Sequence, residues 1–449
     1  MLQCSNCGGS IVYNIESKRF KCLSCDTIYP INQITDAEEV ESEQISINQF
    51  TCPSCGGEIY TRDNTASSFC SFCGSSNSLT AKMVSWKKPN KIVPFEITKE
   101  QAREKLKAKM KNWFTPKEFS VLDNLDNYRG IYIPYWCYTV EVTSNAQNVD
   151  VTYSRSSGNT TYYQDYKLCT ELVGRFEGLT YDASKAFPDD ISEGLNDFDF
   201  GNKLVPFNSA YFSGFYADLA DVKPDTYQSV LLKDCKDISQ DLLEDKLKHI
   251  NSSEGSPSIK GVIPYDGKVV ACELVMCPVW FLSFRENNRV IYGVVNGVTG
   301  DTVSDIPISK PKVLGTILGI SIPLFALFYF IFNLTIPVLI IANIAFIIFS
   351  LGSTKIADSH IKIKKTGKVE KKMHSIAGFA MIVLFLTVWV SIAIGSHIHI
   401  VNDMFAYVLA FISGVIGIGS LIRTISKFNE LATRELPHFK YEGGNTRNV

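Results

Sequence analysis

The sequence predicts a multidomain fold class from three observations. Eight of its thirteen cysteines fall in the first 73 residues as four CxxC pairs. Alternating apolar stretches separated by turn signals fill the middle, and four long apolar runs without a charged side chain close it. Together they give tandem Cys4 zinc ribbons, an α+β, antiparallel-sheet-rich cytoplasmic domain with a degenerate internal repeat, and a C-terminal four-helix transmembrane bundle. The expected boundaries are ribbon 1 at 1–30, an acidic linker at 31–49, ribbon 2 at 50–78 and a basic linker at 79–91. The α+β domain then takes 92–307, as halves 92–203 and 204–307, followed by helices within 313–422 and a tail at 423–449.

The cysteine-rich head repeats one unit. Cys4 and Cys7 are followed after fourteen residues by Cys22 and Cys25, and Cys52 and Cys55 after the same interval by Cys70 and Cys73. A CxxC wraps a tight knuckle, and Gly8, Gly56 and Gly74 follow a second cysteine, where a turn with positive φ is useful. The interval accommodates a short hairpin that returns the second knuckle to the first. Four thiolates in tetrahedral geometry suit a structural Zn2+ and leave no position for substrate. So small a unit cannot bury an adequate core, and the metal must hold it together. Redox pairs or an iron–sulfur site are the alternatives, and the doubled spacing favours two structural zinc ions. Ribbon 1 has Asp26 where a glycine would follow the last cysteine, and the spacing leaves open a crosswise pairing of knuckles between units.

Charge divides the chain more sharply than its net −2 suggests. Residues 1–81 hold nine acids against four bases, a balance of about −9 once two Zn2+ and eight thiolates are added. Nucleic-acid affinity rests chiefly on neutralising phosphates, so the head favours protein partners and disfavours nucleic acid. Residues 82–117 reverse the sign, with eleven Lys or Arg against three Glu. There Thr98 and Gln101 fit a capping box, and Ala102, Leu106, Met110 and Trp113 recur at helical spacing. The helix so predicted either packs on a sheet with a solvated lysine face, the preferred reading, or touches anionic lipid.

In the middle, Trp136, Tyr138, Val140 and Val142 alternate onto one strand face. Hairpin turns are expected at 156–159 and 286–288, and a charged helix at 230–250. Val93-Pro94-Phe95 returns as Val205-Pro206-Phe207, and Pro134-Tyr135-Trp136 as Pro278-Val279-Trp280, which suggests a duplication. No catalytic residue is identified: phosphate-loop, HExxH and GxSxG motifs are absent, and His249 is the one histidine before residue 313. Cys137, Cys169, Cys235, Cys272 and Cys277 read as small buried hydrophobes. The expectation is a protein that is not an enzyme.

The apolar runs at 313–332, 334–352, 376–395 and 404–422 each match the roughly 20 residues of helix that a bilayer core requires. Residues 353–375 carry seven lysines against two acids, while the two other connections have none, which orients both termini to the cytoplasm. The expected location is therefore an integral membrane protein of the cell membrane, in contact with the lipid bilayer. The N-terminus lacks the basic and apolar regions of a signal peptide. Gly315, Gly319, Ala410, Gly414 and Gly417 offer close-packing surfaces through which a homo-oligomer could form. His397, His399 and Asp403 lie close together in an outer loop, where an ordinary polar turn is preferred over a metal site.

The stretches IVPFEITKEQA, GIYIPYW, YDASK, LVPFNSAYFSGFYAD, CPVWFLSF and YGVVNGVTGDTVSDIPISK resemble a bacterial family of TFIIB-type zinc-ribbon-containing membrane proteins. Members are sometimes labelled primosomal helicase-like, a label the absent nucleotide loop does not support. The resemblance spans about residues 50 to 312. For some members it implies gene neighbourhoods with phage-shock-type membrane-stress proteins and SPFH-domain scaffolds. It thus implies a membrane anchor recruiting such protein partners. With the closed metal sites, the acidic head and the absent catalytic motifs, the expected function is a non-enzymatic membrane-anchored adaptor. The alternative is a membrane-tethered nucleic-acid-binding regulator using the ribbons and the basic 82–117 segment.

Overall fold

The computed structural model describes residues 3–30, 33–34, 44–61, 70–75, 80–110, 114–116, 127–195, 198–250, 255–260, 263–286, 289–313, 315–316, 319, 419, 422–423, 425–430, 432–437, 440–442 and 446–448. The first cysteine unit forms a three-stranded sheet of β1 (Ile11–Asn14), β2 (Arg19–Cys22) and β3 (Ile28–Tyr29), in that spatial order. The second contributes β4 (Gln44–Thr51) and β5 (Glu58–Thr61), followed by β6 (Thr80–Lys87) and β7 (Lys91–Ile92). Strand β4 begins inside the stretch expected as an acidic linker.

Two long strands carry the middle of the chain. β8 (Arg129–Ser157) turns directly into β9 (Thr160–Asp182), with Gly158 at φ 60° in the expected turn. Short strands β10 (Val205–Pro206), β11 (Tyr216–Ala217) and β12 (Ser256–Lys260) precede the second long hairpin, β13 (Asp266–Glu286) with β14 (Arg289–Asn296). β15 (Thr302–Ser304) and β16 (Arg434–Glu435) complete a thirteen-stranded sheet whose main path runs β10-β7-β13-β8-β11-β5-β4-β6. Ribbon 2 is thus continuous with the central sheet, joined where Tyr60 of β5 faces Ala217 of β11.

Both faces of this sheet are covered, which explains the unbroken apolar runs in β8 and β13. Ile131, Ile133, Tyr135, Val275, Cys277 and Val279 pack on one face with Phe187 and Phe198. Tyr132, Met276 and Trp280 pack on the other with Phe95 and the helix Lys99–Met110. Alternation sends successive side chains to opposite faces, so a strand buried on both sides must be apolar throughout. The capping box forms: the Thr98 amide donates to Gln101 Oε1 at 3.0 Å and the Gln101 amide to Thr98 Oγ1 at 3.3 Å. Ala102, Leu106 and Met110 are buried against the sheet, with Leu106 on Gly293, so this basic helix packs on protein. Trp113 lies outside the described residues.

The hydrogen-bond register relates two β-α-β-β units. In the antiparallel β8/β13 ladder Pro134 faces Met276 and Pro278 faces Tyr132, an exchange centred on Ile133 and Cys277. Each proline carbonyl accepts an equivalent bond, Pro134 from Ala183 and Pro278 from Gly297, both at 2.8 Å. β7 runs parallel to β13 with Val93 donating to Met276, and β11 runs parallel to β8 with Asp218 donating to Tyr132. The counterpart of Val93 is therefore Asp218. This corrects the reading from the repeated Val-Pro-Phe, because Val205 and Pro206 instead pair antiparallel with β7 itself. A three-residue echo reports local extended preference, whereas the ladder reports position.

The expected four-helix transmembrane bundle, and with it the integral-membrane location with cytoplasmic termini, is also corrected. Among the described residues no helix is long and apolar enough to cross a membrane. The longest described helix, Gln228–Ile250, buries a single stripe, Leu231, Cys235, Ser239, Leu243 and Leu247, and its other faces mix Lys, Asp and Glu with the exposed Val230, Ile238, Leu242 and Ile250. Apart from a few residues at their ends, the runs 313–332, 334–352, 376–395 and 404–422 lie outside the described residues, as do His397, His399, Asp403, Ala410, Gly414 and Gly417. Hydropathy measures side-chain transfer preference and does not by itself fix the backbone state of a run. The described fold is sheet-rich, with little helix.

Candidate metal centres

Each cysteine unit closes on itself, which excludes the crosswise pairing. Cys4, Cys7, Cys22 and Cys25 form one set and Cys52, Cys55, Cys70 and Cys73 another, with all four sulfurs of a set within 4.8 Å of one another. A tetrahedron with metal–sulfur bonds of about 2.3 Å has sulfur–sulfur edges of about 3.8 Å. Cys52–Cys73 and Cys55–Cys70 stand at 3.8 Å, and Cys4–Cys25 and Cys7–Cys22 at 3.5 Å. Each set could hold one metal ion, held by sulfur on all four sides.

The knuckles owe their shape to backbone hydrogen bonds. Gly8, Asp26, Gly56 and Gly74 donate to the carbonyls of Cys4, Cys22, Cys52 and Cys70 at 2.8, 3.1, 2.8 and 3.0 Å. All four donors have positive φ, between 60° and 76°. Asp26 thus takes the left-handed place of a glycine, which Asp adopts more readily than most side chains, and it pairs with Lys21 at 2.8 Å. Amides of Gly9, Ser24 and Gly57 point at the sulfurs of Cys7, Cys22 and Cys55, each at 3.4 Å, a disposition that stabilises thiolate.

Sequence reasoning missed the hydroxyls around the sulfurs. Thr27 and Ser75 sit two residues after the last cysteine of their units, and their hydroxyls lie 3.0 Å from Cys25 and Cys73 Sγ. That shared position was a signal in the sequence. Tyr29, 3.0 Å from Cys4, had none, and its hydroxyl draws the Cys4 thiol down to about 6. The Thr27 hydroxyl and amide lower Cys25 in the same sense.

The sets differ in their surroundings. Cys7 is exposed and Cys25 half-buried, whereas Cys52, Cys55, Cys70 and Cys73 are all buried. The second set sits in a core with Phe50, Ile59, Phe72 and Ala186. The sheet grips its C-terminal knuckle, as Tyr292 donates to the Phe72 carbonyl at 2.6 Å and Ser283 to that of Cys70 at 3.4 Å. Arg434 lies over the Tyr292 ring and pairs with Asp190 at 2.6 Å and Asp305 at 2.8 Å. The first set is held to the sheet by Tyr13 and Phe20, both packed on Tyr211.

The remaining cysteines divide. Cys235 and Cys277 are buried as expected and Cys137 is half-buried, its thiol pushed up to about 11 by burial. Cys169 and Cys272 are exposed, against expectation, because they fall on the solvent face of long strands. His249 is exposed at the end of its helix, with Asp245 at 3.8 Å.

No family model matches the chain, and no solved structure matches it. Among curated proteins it is similar to one described as "Uncharacterized protein YdjG" of Bacillus subtilis (strain 168). The two are 25% identical over 238 residues, which covers 52% of this chain and 68% of that protein.

Proposed function

We propose that the protein is a non-enzymatic adaptor whose two Cys4 ribbons each hold a structural Zn2+ and present surfaces to protein partners. The observation that carries this reading is the pair of closed four-sulfur sets, since a metal with four protein ligands has no position for substrate. The acidic balance of the head supports protein over nucleic acid. So does the use of basic side chains within the fold: Lys91 pairs with Glu273 at 2.7 Å, and Lys109 donates to the Thr302 carbonyl. The resemblance to TFIIB-type zinc-ribbon proteins belongs to the same proposal, with phage-shock-type or SPFH-domain proteins as the partner class.

Elemental analysis of the purified chain is expected to give two zinc ions per chain. Affinity capture after cross-linking is expected to recover discrete proteins, at least one of which is lost in Cys22→Ser/Cys25→Ser. A partner set unchanged by that variant would exclude ribbon 1 as the docking element. Steeply salt-dependent binding to DNA or RNA would favour the nucleic-acid reading instead.

A further inference from the structure

Strand β9 has one edge on β8, and among the described strands nothing covers the other. Alternate residues of an antiparallel strand direct their N–H and C=O away from a given neighbour, so this edge offers a row of unpaired ladder groups. Three large hydrophobic residues on β9 are also exposed: Tyr162 at 62%, Tyr163 at 72% and Val173 at 79%. The opposite face of the hairpin is occupied, since Tyr166, Leu168, Leu172 and Phe176 pack in the clusters that include the buried stripe of the helix Gln228–Ile250.

The exposed face of β9 reads Asp165, Lys167, Cys169, Glu171, Val173, Arg175 at two-residue steps. That order is self-complementary. A second copy turned by a half rotation about Cys169 sets Lys167 against Glu171, Glu171 against Lys167, Asp165 against Val173 and Tyr163 against Arg175. No like charges meet. Moving the axis to Leu168 opposes Asp165 to Glu171, and moving it to Glu171 opposes Lys167 to Arg175. An axis at Thr170 would pair Asp165 with Arg175, both already engaged: Glu177 and Glu141 hold Arg175 at 2.7 and 3.1 Å, and Thr152 donates to Asp165 at 2.5 Å. The axis at Cys169 draws on one engaged side chain, Lys167, which pairs with Asp150 at 2.5 Å. Glu171 has no ion pair among the described residues, so the axis at Cys169 gives it one.

We propose that β9 is a self-association edge, through which two copies of this chain pair antiparallel about a two-fold axis at Cys169. The occupant is a second copy because the charge order of the strand complements itself in this register. Sedimentation of the full-length, metal-loaded chain is expected to show a concentration-dependent monomer–dimer equilibrium. Glu171→Lys, which turns two attractive cross-strand pairs into repulsive ones, is expected to weaken it roughly tenfold. Adding Lys167→Glu together with Asp150→Lys, which keeps an opposite-charge pair with β8, is expected to restore it to within about twofold. A short thiol-specific cross-linker is expected to join the copies at Cys169, as read by peptide mapping, and circular dichroism checks that each variant folds. A chain that remains monomeric at the highest attainable concentration overturns the proposal. So does a dimer indifferent to Glu171→Lys, or a cross-link that maps only to Cys7 or Cys272.

Discussion

Trp136 and Trp280 occupy equivalent places in the two β-α-β-β units and make the same bond across to the other unit. The Trp136 indole donates to the Val222 carbonyl at 2.8 Å, and the Trp280 indole to the Ile97 carbonyl at 2.7 Å. The two acceptors match as well: Ile97 and Val222 both donate to the turn after the opposite hairpin, Ile97 to Gly297 and Val222 to Ala183. Each long strand is thereby tied to the segment leading into the other unit's helix.

Removing either indole donor leaves a backbone carbonyl without its partner, at a cost of about 1–3 kcal/mol. Trp280 is 5% exposed and Trp136 half-buried, so water reaches the orphaned carbonyl more readily at Val222. Urea denaturation is expected to rank Trp280→Phe as more destabilising than Trp136→Phe. The reverse order would show that the two bonds do not do equivalent jobs.

The metal centres should exchange at different rates. A chelator reaches a thiolate only where the thiolate meets solvent, and Cys7 does so while no member of the second set does. With a colorimetric zinc indicator, about half the metal is expected to leave quickly on adding a chelator, and the remainder only on unfolding. Cys7→Ser should abolish the fast phase alone.

Arg434 lies between Tyr292 and two carboxylates, and Asp305 is 8% exposed. Truncating one member of a buried pair strands the other charge, typically at 3–5 kcal/mol. Arg434→Ala is expected to lower the denaturation midpoint and also to speed metal loss from the second set, because Tyr292 then holds the Phe72 knuckle less firmly. An Arg434→Ala chain whose slow metal-release phase is unchanged would uncouple the two.

Asp182 is buried, and burial pushes its carboxyl up to about 7, with Asp189 and Asp218 adding to the rise and the Ser192 hydroxyl and Ser184 amide opposing it. A carboxyl with a raised folded pKa favours folding while protonated. Its contribution is therefore complete below 3.8 and lost as pH climbs through about 7. The equivalent place in the other unit holds Asn296, whose Oδ1 accepts from the amides of Val298 and Thr299 at 2.8 and 3.1 Å. Asp182→Asn is expected to stabilise the chain at pH 8 by roughly 2–4 kcal/mol, with the gain vanishing near pH 4. A gain independent of pH would assign the effect to packing.

Much of this was legible in the residues. The capping box at Thr98, the turn at Gly158 and the burial of Ala102, Leu106 and Met110 are short-range matters of backbone geometry and periodicity. The hydroxyls of Thr27 and Ser75 could have been read from their shared position after the last cysteine. Tyr292 and Arg434 could not, because 220 residues separate Tyr292 from Phe72 and 244 separate Arg434 from Asp190. Nor did apolar runs at the C-terminus establish a membrane-spanning bundle, since no described helix meets that requirement.

The sequence by itself determined the eight ligand cysteines and their four knuckles, because a CxxC turn is local, and the structure then decided that each unit of about 25 residues closes on itself. It also marked β8 and β13 as strand, whereas their burial on both faces was a matter of tertiary packing. Tertiary structure decided what those units do for one another. The Pro-x-Trp echo already paired Trp136 with Trp280, but only the ladder register equates Val93 with Asp218. Only the packing makes one metal centre a core element and leaves the other at the surface. Burial and register are set by contacts between residues far apart in the chain, and a spacing rule carries no information about those contacts.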